Sequence, residues 1–174
     1  MAIYRYGNYI PKIGKNSFIS ESATVIGNVT IGSGCYIGHG AIVRGDYGNI
    51  EIGDGSAIEE AAILHIRPNG LLKLENKVTV GHGALLHCSL VKSHAVIGIG
   101  AIVAFDAIIG KWSIVAESCT VTKGAVIPDE TIVAGVPFKI IGKVGEAHKK
   151  FWNYAKQLYI DLAKEYPHKL ERID

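Results

Sequence analysis

No run of about 18 consecutive apolar residues occurs in this chain, so no membrane-spanning helix is expected. No basic cluster interleaved with aromatics occurs either, and the net charge is only +2, which removes the argument for nucleic-acid binding. Cysteine is scarce: Cys35, Cys88 and Cys119 are widely spaced and odd in number, so no disulfide framework is expected, and the thiols read as reduced. Met1 to Tyr9 lacks a long apolar stretch and carries Arg5, unlike a secretory leader. Together these absences lead to the expectation of a cytoplasmic protein. Proline is also rare, at 5 residues, whereas glycine is frequent, at 21. The 174 residues fit one domain, and 48% of them are apolar, enough for a real core. Isoleucine and valine lead the apolar set and favour strands.

These residues, joined by leucine at three positions, recur every six positions. One frame runs Ile13, Ile19, Val25, Ile31, Ile37 and Val43. A second holds Ile52, Ile58 and Leu64, and a third Leu74, Val80 and Leu86. The fourth runs Val91, Ile97, Val103, Ile109, Val115, Val121, Ile127 and Val133. Four residues after most anchors stands a small one, such as Ala23, Cys35, Ala41, Ala62, Ala84, Ala95, Ala101, Ala107 or Cys119. Glycine often follows the anchor directly. A period of six suits neither an amphipathic helix nor an alternating strand. It suits a solenoid of short flat strands, with the large aliphatic inside and the small residue at a crowded corner. This hexapeptide repeat resembles that of left-handed parallel β-helices, in which three hexads make one triangular turn. The resemblance implies an all-β solenoid of about seven turns. Cys35 and Cys119 then fall in corner slots of the core, and Cys88 reads as a surface thiol.

The repeat breaks at Ala134-Gly135-Val136-Pro137. Residues from about Val144 to Tyr166 carry Phe151, Tyr154, Ala155, Leu158, Tyr159 and Leu162 at helical spacing, with Pro167 placed just beyond the end. The division expected is a β-helix over 1–142 and a C-terminal α-helix with its tail over 143–174. That helix should pack along the prism or against a neighbouring subunit.

Two frame slips, at Asp46–Asn49 and Arg67–Gly70, read as small corner loops. Counting hexads across them stacks Val43, Leu64 and Leu86 in one column. The residues after these anchors, Arg44, His65 and His87, then also stack and point outward. Adjacent turns lie about 4.8 Å apart, so His65 and His87 can converge on one ion. His82 follows Val80 by two and belongs to a different face. It reaches that ion only from a neighbouring chain about a three-fold axis, which predicts a homotrimer with shared sites. Glu60 stacks one turn from His82, and the same geometry brings it to Arg44 across the interface as an ion pair. His39, His94, His148 and His168 have no assigned partner and read as solvated.

The run Val43-Arg44-Gly45-Asp46, then Ile58-Glu59-Glu60, Leu64-His65, and Val80-Gly81-His82-Gly83-Ala84-Leu85-Leu86-His87, resembles the core of the γ-class carbonic anhydrase family, in its shorter branch. The resemblance implies a metal set of His65, His82 and His87, with zinc as cofactor and iron or cobalt as alternatives. It implies reversible hydration of CO2 to bicarbonate by a metal-bound hydroxide. Glu59 stands where the family usually carries a glutamine that orients the metal-bound water. Tyr159 matches a family tyrosine on the C-terminal helix, and Arg44 and Asp46 belong to the interface network. The loop Ile66-Arg67-Pro68-Asn69-Gly70 carries no carboxylate, whereas the best-studied type has a proton-shuttle glutamate in its acidic loop. Two other functions remain open at this level. One is a hexapeptide acyltransferase or CoA-thioester hydrolase; the other is a non-catalytic metal- or siderophore-binding protein.

Overall fold

The computed structural model describes residues 2–174 and contains a left-handed parallel β-helix followed by one helix. The six-residue repeat becomes two-residue strands separated by tight corners, and three strands complete a turn. The prism therefore has three faces. The third face holds Phe18–Ile19, Tyr36–Ile37, Ala57–Ile58, Thr79–Val80, Val96–Ile97, Ile114–Val115 and Thr131–Ala134, all parallel, closed by the antiparallel Lys139–Lys143. The first and second faces form one continuous sheet, because Thr24–Ile31 and Ile42–Ile52 run around the corner between them. The first face continues through Ile63–His65, Leu85–Leu86, Ile102–Val103 and Thr120–Val121. The second continues through Leu71–Leu74, Leu90–Val91, Ile108–Ile109 and Val126–Ile127.

The aliphatic anchors fill the prism: Val25, Val43, Ile58, Leu64, Val80, Leu86, Ile97 and Val103 are each fully buried. The small residues pack beneath the corners, where Ala23, Ala41, Ala62, Ala84 and Ala101 are equally inaccessible. Most corners use one residue of left-handed backbone. Between the third and first faces these are Gly40, Ala61, Gly83, Gly100 and Ser118, with φ from 56° to 70°. Glycine takes that conformation without strain, which accounts for Gly83 beside the functional corner described below. Cys88 is buried in the core, with its thiol pushed up to about 12 by burial, and is not at the surface. Alternation explains the difference: Leu86 points in, His87 out and Cys88 in.

The two insertions lie on successive turns and rest on each other. The Asn69 amide donates to the Tyr47 carbonyl at 2.9 Å, and the Asn49 amide to the Gly70 carbonyl at 2.9 Å. They widen the edge between the first and second faces.

The helix runs Glu146–Lys169, and Pro167 lies inside its last turn rather than beyond it. A proline this close to the end interrupts little, and the Leu170 amide still bonds to the Tyr166 carbonyl. Its inner stripe of Tyr159, Leu162, Ala163 and Tyr166 packs on Phe18, Tyr36 and Ala57 of the third face. Phe151, Tyr154 and Leu158 point away from the prism and are exposed. Three of the histidines expected to be solvated have partners. His94 stacks on Trp112 with centroids 4.2 Å apart, His39 lies against Tyr166, and His148 Nδ1 accepts the Gly145 amide.

Candidate metal centre

The parallel register places Arg44 beside His65 and Leu64 beside Leu86, so Arg44, His65 and His87 form one ascending column. The column stands at the edge between the first and second faces. His65 Nδ1 and His87 Nε2 are 3.2 Å apart. Two nitrogens bound at about 2.0–2.1 Å to one tetrahedral ion lie about 3.2–3.4 Å apart, so this pair has the spacing of co-ligands. The other nitrogen of His65 faces Asp46: Nε2 lies 3.2 Å from Oδ1. Donation of the Nε2 proton to that carboxylate leaves the Nδ1 lone pair turned toward His87, the usual way a carboxylate orients a ligating imidazole. Burial works against the Asp46 carboxylate, but Arg44, whose Nη1 donates to Oδ2 at 2.8 Å, holds its carboxyl below the ordinary range. The Phe105 ring meets His87 edge-on, with centroids 4.5 Å apart. Burial, then the nearby charges of His65 and Arg44, pushes the His87 pKa down, which favours the neutral, ligating form.

His82 occupies the opposite edge of the first face, at its corner with the third. Ile58 pairs with Val80, so Glu59 and Glu60 flank His82 from the preceding turn. Glu60 Oε2 lies 2.7 Å from His82 Nδ1, and its Oε1 accepts the Tyr36 hydroxyl at 2.7 Å. Glu59 Oε2 accepts the His82 amide at 3.2 Å and lies 3.2 Å from His82 Nε2. Tyr159, delivered by the helix, stands beside Glu59. Burial raises the Glu59 pKa, and burial followed by the Glu59 charge raises that of Tyr159. Glycine is required at position 38 for room. A Cβ there would lie 2.7 Å from Glu60 Oε1 and 2.9 Å from the Glu60 amide.

The residues expected to act together thus form two half-sites in one chain. His65, His87, Arg44 and Asp46 share one edge; His82, Glu59, Glu60 and Tyr159 share the other. Among the described residues, no group of three or more His, Cys, Asp or Glu side chains in a single chain is arranged to hold a metal. Between the half-sites the first face turns an apolar column outward: Ile42, Ile63, Leu85 and Ile102, of which Leu85 and Ile102 are 37% and 43% exposed. Ile99 and Phe105 extend the apolar strip at its two margins.

Tyr36 and Lys156 were not singled out from the sequence. Tyr36 reads as an ordinary strand aromatic, and its tie to Glu60 depends on stacking between turns. Lys156 reads as a solvated helix cation but is 2% exposed. Its ammonium donates to Thr79 Oγ1 at 2.9 Å beneath the Trp152 ring. Burial, opposed by the Glu59 charge and reinforced by Lys77, lowers its pKa to about 7.

A hexapeptide β-helix with paired histidines on its edges defines a class, and comparison with known proteins narrows it. The family model for the bacterial transferase hexapeptide, six repeats, matches residues 10–45. A carbonic anhydrase of Geobacillus kaustophilus is 34% identical over 94% of this chain and 90% of its own length. Gamma carbonic anhydrase 2, mitochondrial, of Arabidopsis thaliana is 31% identical over 88% of this chain, which spans 58% of that longer protein. The solved structure of a hexapeptide transferase family protein from Anaplasma phagocytophilum superposes with a TM-score of 0.90 at 29% identity, covering 95% of this chain and 98% of that one. The chain belongs to the γ-class carbonic anhydrase-like family of hexapeptide-repeat proteins.

Proposed function

We propose that this protein is a homotrimer that interconverts CO2 and bicarbonate at a metal site shared between subunits, with His65 and His87 from one subunit and His82 from the next. The observation that carries this reading is the pair of half-sites at opposite edges of one apolar face. A three-fold arrangement that buries Leu85 and Ile102 against neighbours brings unlike edges together and closes three sites at once. Zinc, with iron or cobalt as alternatives, would lower the pKa of a coordinated water toward about 7 and so supply hydroxide for attack on CO2.

The chain's own residues do the rest. Asp46 and Glu60 each hold one imidazole in the tautomer that presents a lone pair to the ion. Arg44 keeps Asp46 ionised and, half exposed, is free to meet Glu60 of the neighbouring subunit. Phe105, Ile99 and the apolar column exclude bulk water from the site's flank. Tyr159 stands on the helix side of His82, beyond Glu59, in position to contact a small polar substrate. The short loop Arg67–Gly70 supplies no carboxylate, so the proton leaves through buffer, and turnover should depend on buffer concentration. A cytoplasmic location fits the expected reduced thiols.

A second reading, acyl transfer from a CoA thioester, is favoured by the transferase names of the matched repeat model and of the Anaplasma neighbour. The matched repeats, residues 10–45, contain none of the three paired histidines. Stopped-flow CO2 hydration on zinc-, cobalt- and anaerobically iron-loaded trimer, alongside acetyl-CoA binding and hydrolysis, separates the readings. Metal-dependent hydration lost in His65→Ala supports the first. Metal-independent CoA binding without hydration supports the second.

A further inference from the structure

The two half-sites repeat one geometric motif, and the repetition concerns Glu59. At the first edge, His65 Nε2 faces Asp46, and His65 Nδ1 and His87 Nε2 face each other at 3.2 Å. At the second edge, His82 Nδ1 faces Glu60 at 2.7 Å, and its Nε2 faces a carboxylate oxygen, Glu59 Oε2, also at 3.2 Å. Each facing pair has room for one shared cation, a proton in the free chain or a metal ion when one is bound. Carboxylate oxygens bind zinc at about 2.0–2.2 Å, so an oxygen and a nitrogen sharing an ion have the same separation as two nitrogens.

Glu59 is also held in place. Its side chain is 7% exposed, and among the described residues His82 is its only ion-pair partner. The His82 amide donates to the carboxylate at 3.2 Å, and Tyr159 stands beside it. A glutamine here would present a neutral and weaker donor. The chain therefore carries a buried carboxyl group, held beside the one histidine that must reach across the interface.

We infer that Glu59 is a fourth protein ligand, so that each site combines His65 Nδ1 and His87 Nε2 of one subunit with His82 Nε2 and Glu59 Oε2 of the next. This rests on the three-histidine trimer proposed above. It adds that the position otherwise left to water is filled in the resting protein. A small anion or water enters by expanding the coordination to five or by displacing Glu59. The site would thus bind exogenous anions such as azide more weakly than an open three-histidine centre does.

The test uses full-length trimer loaded with Co2+, a spectroscopic substitute for zinc, in four forms: wild type, Glu59→Gln, Glu59→Asp and His65→Ala. Visible absorption reports coordination, azide is the probe anion, and competition with a chelator reports affinity. The wild-type spectrum should be intense and unmoved by millimolar azide. Glu59→Gln should change the spectrum, respond to azide, and lose affinity by about 10-fold or more. Glu59→Asp keeps the charge but withdraws the oxygen by one methylene, and should behave like Glu59→Gln. It tests the same point if the glutamine variant does not assemble. If wild type and both Glu59 variants share one spectrum, one affinity and one azide response, Glu59 is not a ligand. If wild type takes up no Co2+, or His65→Ala retains it fully, the three-histidine reading itself falls. The His65→Ala arm therefore tells the two failures apart.

Discussion

At the scale of single residues, this site depends on carboxylates that aim imidazoles rather than on the imidazoles alone. Asp46 and Glu60 contact His65 and His82 through the nitrogen that does not face the proposed ion. Gly38 controls one of these contacts without touching a histidine, because a Cβ at that position would stand where Glu60 Oε1 stands. Gly38 has no left-handed backbone in this fold, so Gly38→Ala adds bulk without adding φ strain. The added Cβ must displace the Glu60 carboxylate and its backbone amide together, so the variant should lower stability and weaken metal binding in the assembled protein by about 10–100-fold, the range typical for loss of an orienting partner. Chelator competition on the assembled protein measures this. Wild-type affinity in Gly38→Ala would show that the Glu60–His82 contact does not set the ligand's orientation.

At the scale of elements, the helix shows what sequence periodicity reveals and what it does not. The six-residue anchors fixed the strand columns from Ile13 to Val133, because an interior aliphatic every sixth residue admits only one stacking, whereas the added strands Ala2–Tyr4 and Lys139–Lys143 lie outside the repeat. The column Arg44, His65 and His87 followed from counting alone. The helix was legible as a helix, but its apolar spacing covers two stripes, and only packing shows that Tyr159 turns inward while Tyr154 turns out. Lys156 was illegible because nothing local to a lysine says that it will be buried. Its pKa, lowered to about 7, carries a testable sign. The unfolded chain holds this proton up to about pH 10.5, while the folded chain releases it near 7. Between those values the unfolded state binds more protons, so stability rises with pH. The cost of burying the ammonium is fully present below pH 7 and fades as pH climbs to 10.5. Lys156→Met removes the charge, keeps the packing, and should stabilise the protein most below pH 7. Its advantage over wild type should shrink by about 1.4 kcal/mol per pH unit from 7 upward. Urea unfolding of both proteins at pH 6.5, 8 and 9.5 checks this, and an advantage independent of pH would show that the buried amine does not titrate in that window.

At the scale of the whole molecule, the proposed shared site would make metal binding and assembly a single property. One chain offers His65 and His87 at one edge and His82 at the other, so no subunit completes a site by itself. Mixing two inactive proteins tests this directly. His65→Ala chains retain an intact His82 edge, and His82→Ala chains retain an intact His65–His87 edge. Each homotrimer has three broken sites. When the two chains are unfolded, mixed in equal amounts and refolded together, each interface draws its two edges independently. A site is whole only when the edge bearing His65 and His87 comes from a His82→Ala chain and the edge bearing His82 from a His65→Ala chain. Random assembly gives that combination at about one interface in four. Metal content, and any CO2 hydration that depends on it, should therefore recover to about a quarter of the wild-type value in the mixture, while either variant refolded alone stays near zero. A site built within one chain would behave differently, because every chain in the mixture lacks one ligand and no pairing repairs it. Recovery near a quarter thus requires the shared site, and no recovery in well-assembled mixed trimers would return all three histidines to a single subunit.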